Sequence, residues 1–289
     1  MSITGIIIAA VIVGGTGLFI GVFLGVAGKQ FAVEVDEREE AILGVLPGNN
    51  CGGCGYAGCS GLAAAIVKGE AEIGACPVGG APVAALIGGI MGMEAGESVR
   101  EVAFVKCAGT CDVAKQEYDY EGLHDCTFVN MMQDAGPKSC NYGCLGEGSC
   151  VKACPFDAIH VVDGVAVVDK EACKACGKCI AACPKNLIEL VPYDQKCLVQ
   201  CSSKDKGKDV MKACSVGCIG CGICAKNCHF DAITVENNLA HIDVEKCKNC
   251  TLCAKKCPKK IILPKPVDEP KKEAPKAETP KAEAPKAEA

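Results

Sequence analysis

The stretch CIGCGICAKNCHF, residues 218 to 230, and its answer CKNCTLCAKKCPK, residues 247 to 259, decide the fold. Both read C-x2-C-x2-C-x3-C. Such a run wraps three thiolates round one [4Fe-4S] cubane and sends its fourth cysteine across to the cluster held by the other run. The predicted ligands are therefore Cys218, Cys221, Cys224 and Cys257 for one cluster, and Cys247, Cys250, Cys253 and Cys228 for its neighbour. Zinc sites made of four cysteines also use C-x2-C pairs. Two complete runs with cross-ligation spacing are the more specific signal.

Upstream the frame recurs. Cys150, Cys154, Cys173, Cys176, Cys179 and Cys183 return 74 residues later as Cys224, Cys228, Cys247, Cys250, Cys253 and Cys257, and PFDAI at 155–159 answers HFDAI at 229–233. A fixed repeat of this kind marks a duplicated supersecondary unit. Between the runs, IHVVDGVAVV and ITVENNLAHI predict hairpins turning at Asp163-Gly164 and Asn237-Asn238. Short strands joined to cysteine-bearing turns and helices make a small α+β module, present twice: residues 140–190 and 218–263.

In the first copy Cys173, Cys176 and Cys179 join Cys154 on one cluster. Its partner takes Cys150 and Cys183 and needs two more thiols. Within CNYGCLGEGSCVKACP, residues 140 to 155, Glu147 stands where Cys221 stands in the second copy, while Cys140 and Cys144 map onto Cys214 and Cys218. Cys140 is the natural substitute, which gives Cys140, Cys144, Cys150 and Cys183. Nearer the N-terminus, CGGCGYAGC supplies Cys51, Cys54 and Cys59, with Cys76 before Pro77 as the fourth ligand of a fifth cubane in a 29–80 unit. A structural zinc is the rival occupant there. The interleaved Gly52, Gly53, Gly55 and Gly58 allow tight turns and leave backbone N–H groups free to point at sulfur. Five [4Fe-4S] clusters leave Cys107, Cys111, Cys126, Cys197, Cys201 and Cys214, in the connecting segments 81–139 and 191–217. Four of these could hold a sixth cluster, with Cys126, Cys107 and Cys111 as the first choice of core; buried free thiols are the alternative for the rest.

Composition agrees. There are 26 cysteines and no Trp in 289 residues, a cysteine density near that of disulfide scaffolds. The tight grouping and the Lys- and Gly-rich surroundings favour metal ligation instead. Residues 3 to 28, ITGIIIAAVIVGGTGLFIGVFLGVAG, contain no charged side chain and are long enough to cross a bilayer as a helix. The run is too long for a signal peptide and no Lys or Arg precedes it. A retained anchor over 1–28 is the expectation. Gly17, Gly21 and Gly25 share one face of that helix, a close-approach surface for another membrane helix or ordinary Gly tolerance. Charge sets the orientation poorly; reduced thiolates place the body on the cytoplasmic side of the cell membrane. Residues 79–98 have apolar spacing compatible with a helix, and 264–289, rich in Pro, Lys, Ala and Glu, read as a disordered tail.

Several low-potential clusters in one chain have one obvious use, moving single electrons. No dinucleotide glycine signature, P-loop or zinc-hydrolase His pair occurs. His124, His160, His229 and His241 are scattered and read as structural, no catalytic residue stands out, and nothing points to nucleic acid. Residues 170–265 hold 17 Lys against 9 Asp and Glu, a basic face that would steer acidic soluble ferredoxin; lysines near anionic lipid are the plainer reading.

An apolar N-terminal helix running into GKQFAVEVDEREEAILGVLPGNNCGGCGYAGC, a distal Cys-Pro and ferredoxin modules together resemble the B-subunit family of Rnf ion-translocating ferredoxin:NAD+ oxidoreductases. The resemblance spans residues 1 to about 262, and the duplicated module is similar to the long, clostridial-type form. It implies a translocase subunit that takes electrons from reduced ferredoxin and passes them to membrane subunits bearing flavins and iron–sulfur. A separate NADH-binding subunit would reduce NAD+, and the complex would export Na+ or H+. The rivals are an iron–sulfur subunit of another membrane oxidoreductase, such as a hydrogenase, and a redox-sensing regulator; a sensor needs one cluster.

Overall fold

In a computed structural model the chain is described for residues 3–30, 36–94, 96 and 99–264. The Pro-Lys-Ala-Glu tail falls, beyond residue 264, outside the described residues. Helix α1 spans Ile3–Gln30, 28 residues. Its side chains are described at 7 and 11–27 and all but the last are exposed. Among the described residues no helix is long and apolar enough to cross a membrane. For α1 this covers only part of the helix, whose backbone runs past its described side chains at both ends.

Three short helices, α2 (Glu37–Val45), α3 (Cys59–Lys68) and α4 (Gly80–Met91), form the first packed unit. The acidic run ahead of the first cysteines is a helix start: Asp36 caps α2 by accepting from the Arg38 N–H at 2.9 Å, and Glu37, Glu39 and Glu40 face the positive end of its dipole. Ile42, Leu62, Ile66 and Ile87 close over one another, each at most 1% exposed. Such burial contributes about 1.5–3 kcal/mol per side chain. Helix α4 supplies the core-facing Ala84 and Ile87, so the helical expectation for 79–98 holds over Gly80–Met91.

The first module contains α6 (Ser149–Ala153), hairpin β2 (Ile159–Val162) and β3 (Val165–Val168), α7 (Lys178–Ala181) and β4 (Ile188–Pro192). It also recruits β1 (Glu101–Val105) and α5 (Cys126–Asn130) from 81–139, the connecting segment with extra cysteines. Strand β1 pairs antiparallel with β4, Ala103 opposite Leu190, and its Val102, Ala103, Phe104 and Val105 are buried. The second module repeats the plan with α8 (Gly207–Ala213), α9 (Ile223–Lys226), hairpin β5 (Ile233–Glu236) and β6 (Leu239–Ile242), and α10 (Leu252–Lys256). Here the presumed linker does what β1 does: Gln200 donates to Ile261 O at 2.9 Å, Leu263 to Leu198 O at 2.8 Å, and Val199 bridges Ile262. Each module is thus completed by an extended segment that lies before its cysteine runs, a strand in the first and a single bridge in the second.

Both hairpins turn in two residues of positive φ, Asp163 (48°) with Gly164 (74°) and Asn237 (48°) with Asn238 (62°), the pattern of a type I′ turn. The loop opening each module packs on that turn. A Cβ at Gly146 would meet Gly164 O at 2.9 Å, and one at Gly220 would meet Asn238 O at 2.8 Å, with φ of 83° and 64°. Gly220→Ala is therefore expected to cost about 1–3 kcal/mol, read as an earlier guanidinium midpoint for loss of the visible cluster absorbance. An unchanged midpoint would show that the loop can move off the turn.

Candidate metal centres

Four cavities in and between the two modules are each walled by four cysteines. One is lined by Cys154, Cys173, Cys176 and Cys179. Another is lined by Cys218, Cys221, Cys224 and Cys257. Helices α6 and α7 explain the division within the first module: Cys150, in the first turn of α6, and Cys154 at its C-cap are separated by little more than a helical turn, as are Cys179 and Cys183, so each helix feeds two neighbouring spaces.

The third cavity is lined by Cys126, Cys144, Cys150 and Cys183. Cys140, expected as the substitute in that set, is not on this wall; it lines a fourth cavity with Cys107, Cys201 and Cys214. The reason lies in the segment before the module. Asp125 caps α5 by accepting from the Thr127 N–H, and the Cys126 N–H donates to Ser149 Oγ at 2.8 Å, which pins Cys126 beside the start of α6. Glu147, at the position of Cys221, turns instead to His124, Oε2 to Nδ1 at 2.7 Å. The expected core of Cys126, Cys107 and Cys111 is accordingly split: Cys126 and Cys107 face different cavities, and Cys111 is exposed beside the hairpin turn at Gly164. Sequence offered one signal for Cys126: it has no partner in the repeat, and the first copy lacks one thiol.

In the N-terminal unit Cys76 lies close to Cys51 and Cys54, while Cys59 opens α3, its N–H donating to Asn50 Oδ1 at 2.8 Å. The N–H directed at sulfur in this unit comes from Gly79, onto Cys76 Sγ at 3.4 Å, rather than from the glycines between the first three cysteines. In the second module Cys247 and Cys253 approach Cys197. Cys197 holds the place of Ala103 in the first module, where the Ala103 N–H points at Cys173 Sγ, the counterpart of Cys247. Cys228 is half-buried and Cys250 exposed at the surface of that region.

Desolvation, then the neighbouring sulfurs of Cys144, Cys126 and Cys183, push the Cys150 thiol up to about 12. Burial raises Cys179, Cys201 and Cys224 to about 11 and Cys253 to about 12. Thiols so placed ionise only when a cation offsets their charge. Among the described residues no three of Cys, His, Asp and Glu are close enough to clasp one metal ion. A tetrahedral zinc, with Zn–S of about 2.3 Å, would hold sulfurs within about 4 Å of each other. The wider four-thiol cavities fit a group larger than one ion. Backbone N–H groups already aim at Cys107, Cys154, Cys173, Cys183 and Cys201, the hydrogen bonds that tune an iron–sulfur centre.

Comparison with known proteins agrees with this chemistry. A 4Fe-4S dicluster domain family matches residues 132–184, a second 4Fe-4S dicluster family matches 217–261, and an Fe-S cluster family matches 46–78. Over 88% of its length the chain is 50% identical to the B subunit of the Na+-translocating ferredoxin:NAD+ oxidoreductase complex of Acetobacterium woodii, covering 76% of that protein. It is 46% identical to the B subunit of the ion-translocating oxidoreductase complex of Methanosarcina acetivorans, over 87% of this chain and 95% of the relative. For the B subunit of the proton-translocating ferredoxin:NAD+ oxidoreductase complex of Clostridium ljungdahlii the figures are 44%, 84% and 86%. Identity of this extent, running through both modules and the unit before them, means that the chain belongs to the Rnf B-subunit family and is an iron–sulfur electron-transfer subunit of an ion-translocating ferredoxin:NAD+ oxidoreductase complex.

Proposed function

We propose that this chain is the anchored conductor of its complex, taking single electrons from reduced soluble ferredoxin and handing them to membrane-embedded partner subunits, while an NADH-binding subunit reduces NAD+ and Na+ or H+ leaves the cell. The observation that carries this is the continuity of the thiol sets. Gly53, between Cys51 and Cys54, runs so close to the next module that a Cβ there would lie 2.9 Å from Cys176 O. Cys76 and Cys173 share the wall of one cleft. The N-terminal thiol set thus abuts the first module's.

Clusters bound in these sets supply one-electron redox chemistry at low potential. Cys51, Cys54, Cys59 and Cys76 would hold one, in the 29–80 domain. Cys154, Cys173, Cys176 and Cys179, with Cys126, Cys144, Cys150 and Cys183, would hold two in the first module. Cys218, Cys221, Cys224 and Cys257, with Cys228, Cys247, Cys250 and Cys253, would hold two in the second. Apolar side chains, Val235, Ala240 and Ile262 among them, line the second module's cavity beside its cysteines.

Entry at the second module is supported by its surface. Cys221 and Cys250 are exposed, and so are Lys226, Lys248, Lys255 and Lys256 and the apolar Ile223 and Phe230. Positive charge round a small apolar spot suits an acidic one-electron carrier. At the other end α1, uncharged from Ile3 to Gly28, would cross the cell membrane and leave the body on the cytoplasmic side, where thiols stay reduced. A single uncharged helix is no ion path, which falls to the partner subunits.

Cys54→Ala, measured in the whole complex, is expected to leave the distal clusters reducible by ferredoxin and to stop NAD+ reduction; surviving turnover would refute exit through the N-terminal set. Cys126→Ala should lower the iron content of the full chain by about four atoms, whereas Glu147→Ala should leave it unchanged. Equal iron in Cys126→Ala and the unsubstituted chain would return the fourth place to another thiol. Removing residues 1–30 should move the chain, expressed without partners, from the membrane to the soluble fraction.

A further inference from the structure

The fourth cysteine-lined cavity belongs to neither module. Cys107 and Cys140 come from the first copy and its leading strand, Cys201 and Cys214 from the second. The four are related in pairs. Cys140 maps onto Cys214 by the 74-residue repeat, and Cys107 and Cys201 each stand two residues beyond a paired valine of the leading strand, Val105 and Val199. Matching hydrogen bonds fix the second pair: the Cys144 N–H donates to Cys107 Sγ at 3.3 Å, and the Cys218 N–H, its counterpart, to Cys201 Sγ at 3.3 Å.

The peptide between the modules holds the pairs together. Residues 113–117 run as a strap with one module on each edge. Ser215 donates to Val113 O at 2.9 Å and Lys115 to Ala213 O at 2.8 Å on one side; Ser139 donates to Lys115 O at 2.9 Å and Glu117 to Pro137 O at 2.8 Å on the other. Ser202 Oγ adds a bond to Lys106 O at 3.1 Å.

We infer that Cys107, Cys140, Cys201 and Cys214 form a sixth [4Fe-4S] site, built between the two ferredoxin-like modules and joining them into one conductor. Three features of the wall suit such a group. Lys138 is 7% exposed, its ammonium held by Gly109 O at 2.9 Å and Gly164 O at 2.8 Å, a fixed positive charge beside a cluster that gains negative charge on reduction. Ala114, Val210, Val216 and Ile261 keep the space apolar. Gln200 Oε1 is buried with no hydrogen-bond partner; the amide turned over presents N–H donors to the same wall. One electron arrives as one leaves, and no bond is made or broken.

This site adjoins the first module's shared cluster through the peptide of Cys144 and the second module's through that of Cys218. Without it, two cluster pairs would be separated by a protein-filled gap. Cys111 and Cys197 then remain as thiols outside all six sets.

The inference rests on reading four-thiol cavities as [4Fe-4S] sites, and metal analysis of the full-length chain, produced without oxygen, separates the two claims. About 24 irons per chain are expected, falling to about 20 in Cys214→Ala and in Cys201→Ala, and unchanged in Cys111→Ala and Cys197→Ala. About 20 irons in the unsubstituted chain, with a loss of four in Cys126→Ala and none in Cys214→Ala, overturns the inter-module site and leaves the other five standing. Zinc in place of iron overturns both. The count for the unsubstituted chain decides between six and five even if an alanine variant fails to fold.

Discussion

Cysteine sulfurs crowd one another in small, dry spaces throughout this molecule, and that crowding is the constraint from which the rest follows. Burial, then the charge of neighbouring sulfurs, makes these thiols resist ionisation, Cys150 and Cys253 most of all among those raised. Cationic iron reverses the balance, so metal binding becomes folding free energy. The secondary structure is scaled to that source of stability. Helices of four or five residues and two-stranded hairpins are marginal on their own. Here each of these helices carries one cysteine within it and another at or just past its end, in a chain with no Trp and few other aromatic residues. An aliphatic centre stands behind the α2–α4 unit and, threaded with cysteines, behind each module as well.

The cysteine runs were legible because their spacing is itself ligand geometry, and the hairpins because Asp-Gly and Asn-Asn accept the left-handed backbone that a two-residue turn demands. The leading strands were not. EVAFV at 101–105 is too short for periodicity to separate a strand from an apolar connection, and its partner lies more than 80 residues ahead. The same blindness to non-local pairing misplaced Cys140. Counting positions in the repeat supplied a plausible neighbour, whereas the actual fourth wall of the Cys150 cavity arrives on α5, part of an insertion with no second copy. Cys126 is held there by Ser149, a contact that no spacing rule encodes.

Glu147 shows how such a replacement is tolerated. At the place of a thiol, a carboxylate facing a cluster would add negative charge where charge is already crowded. Its pairing with His124 carries it outward, its side chain still largely covered, and opens the inner position to a cysteine from elsewhere. The second copy keeps the unmodified run and leaves Cys221 exposed. The duplicated modules have therefore diverged in opposite senses, one wrapped by its insertion and one open at the surface.

The strap at 113–117 meets equivalent edges of the two modules, and the cysteines of the central cavity come as two related pairs. That is the arrangement of an isologous dimer, in which each protomer offers the same patch to the other. With both copies on one chain the encounter is intramolecular and independent of concentration, and the two halves need not be alike: a symmetric wire has no preferred direction, whereas one built from unequal copies has two different ends.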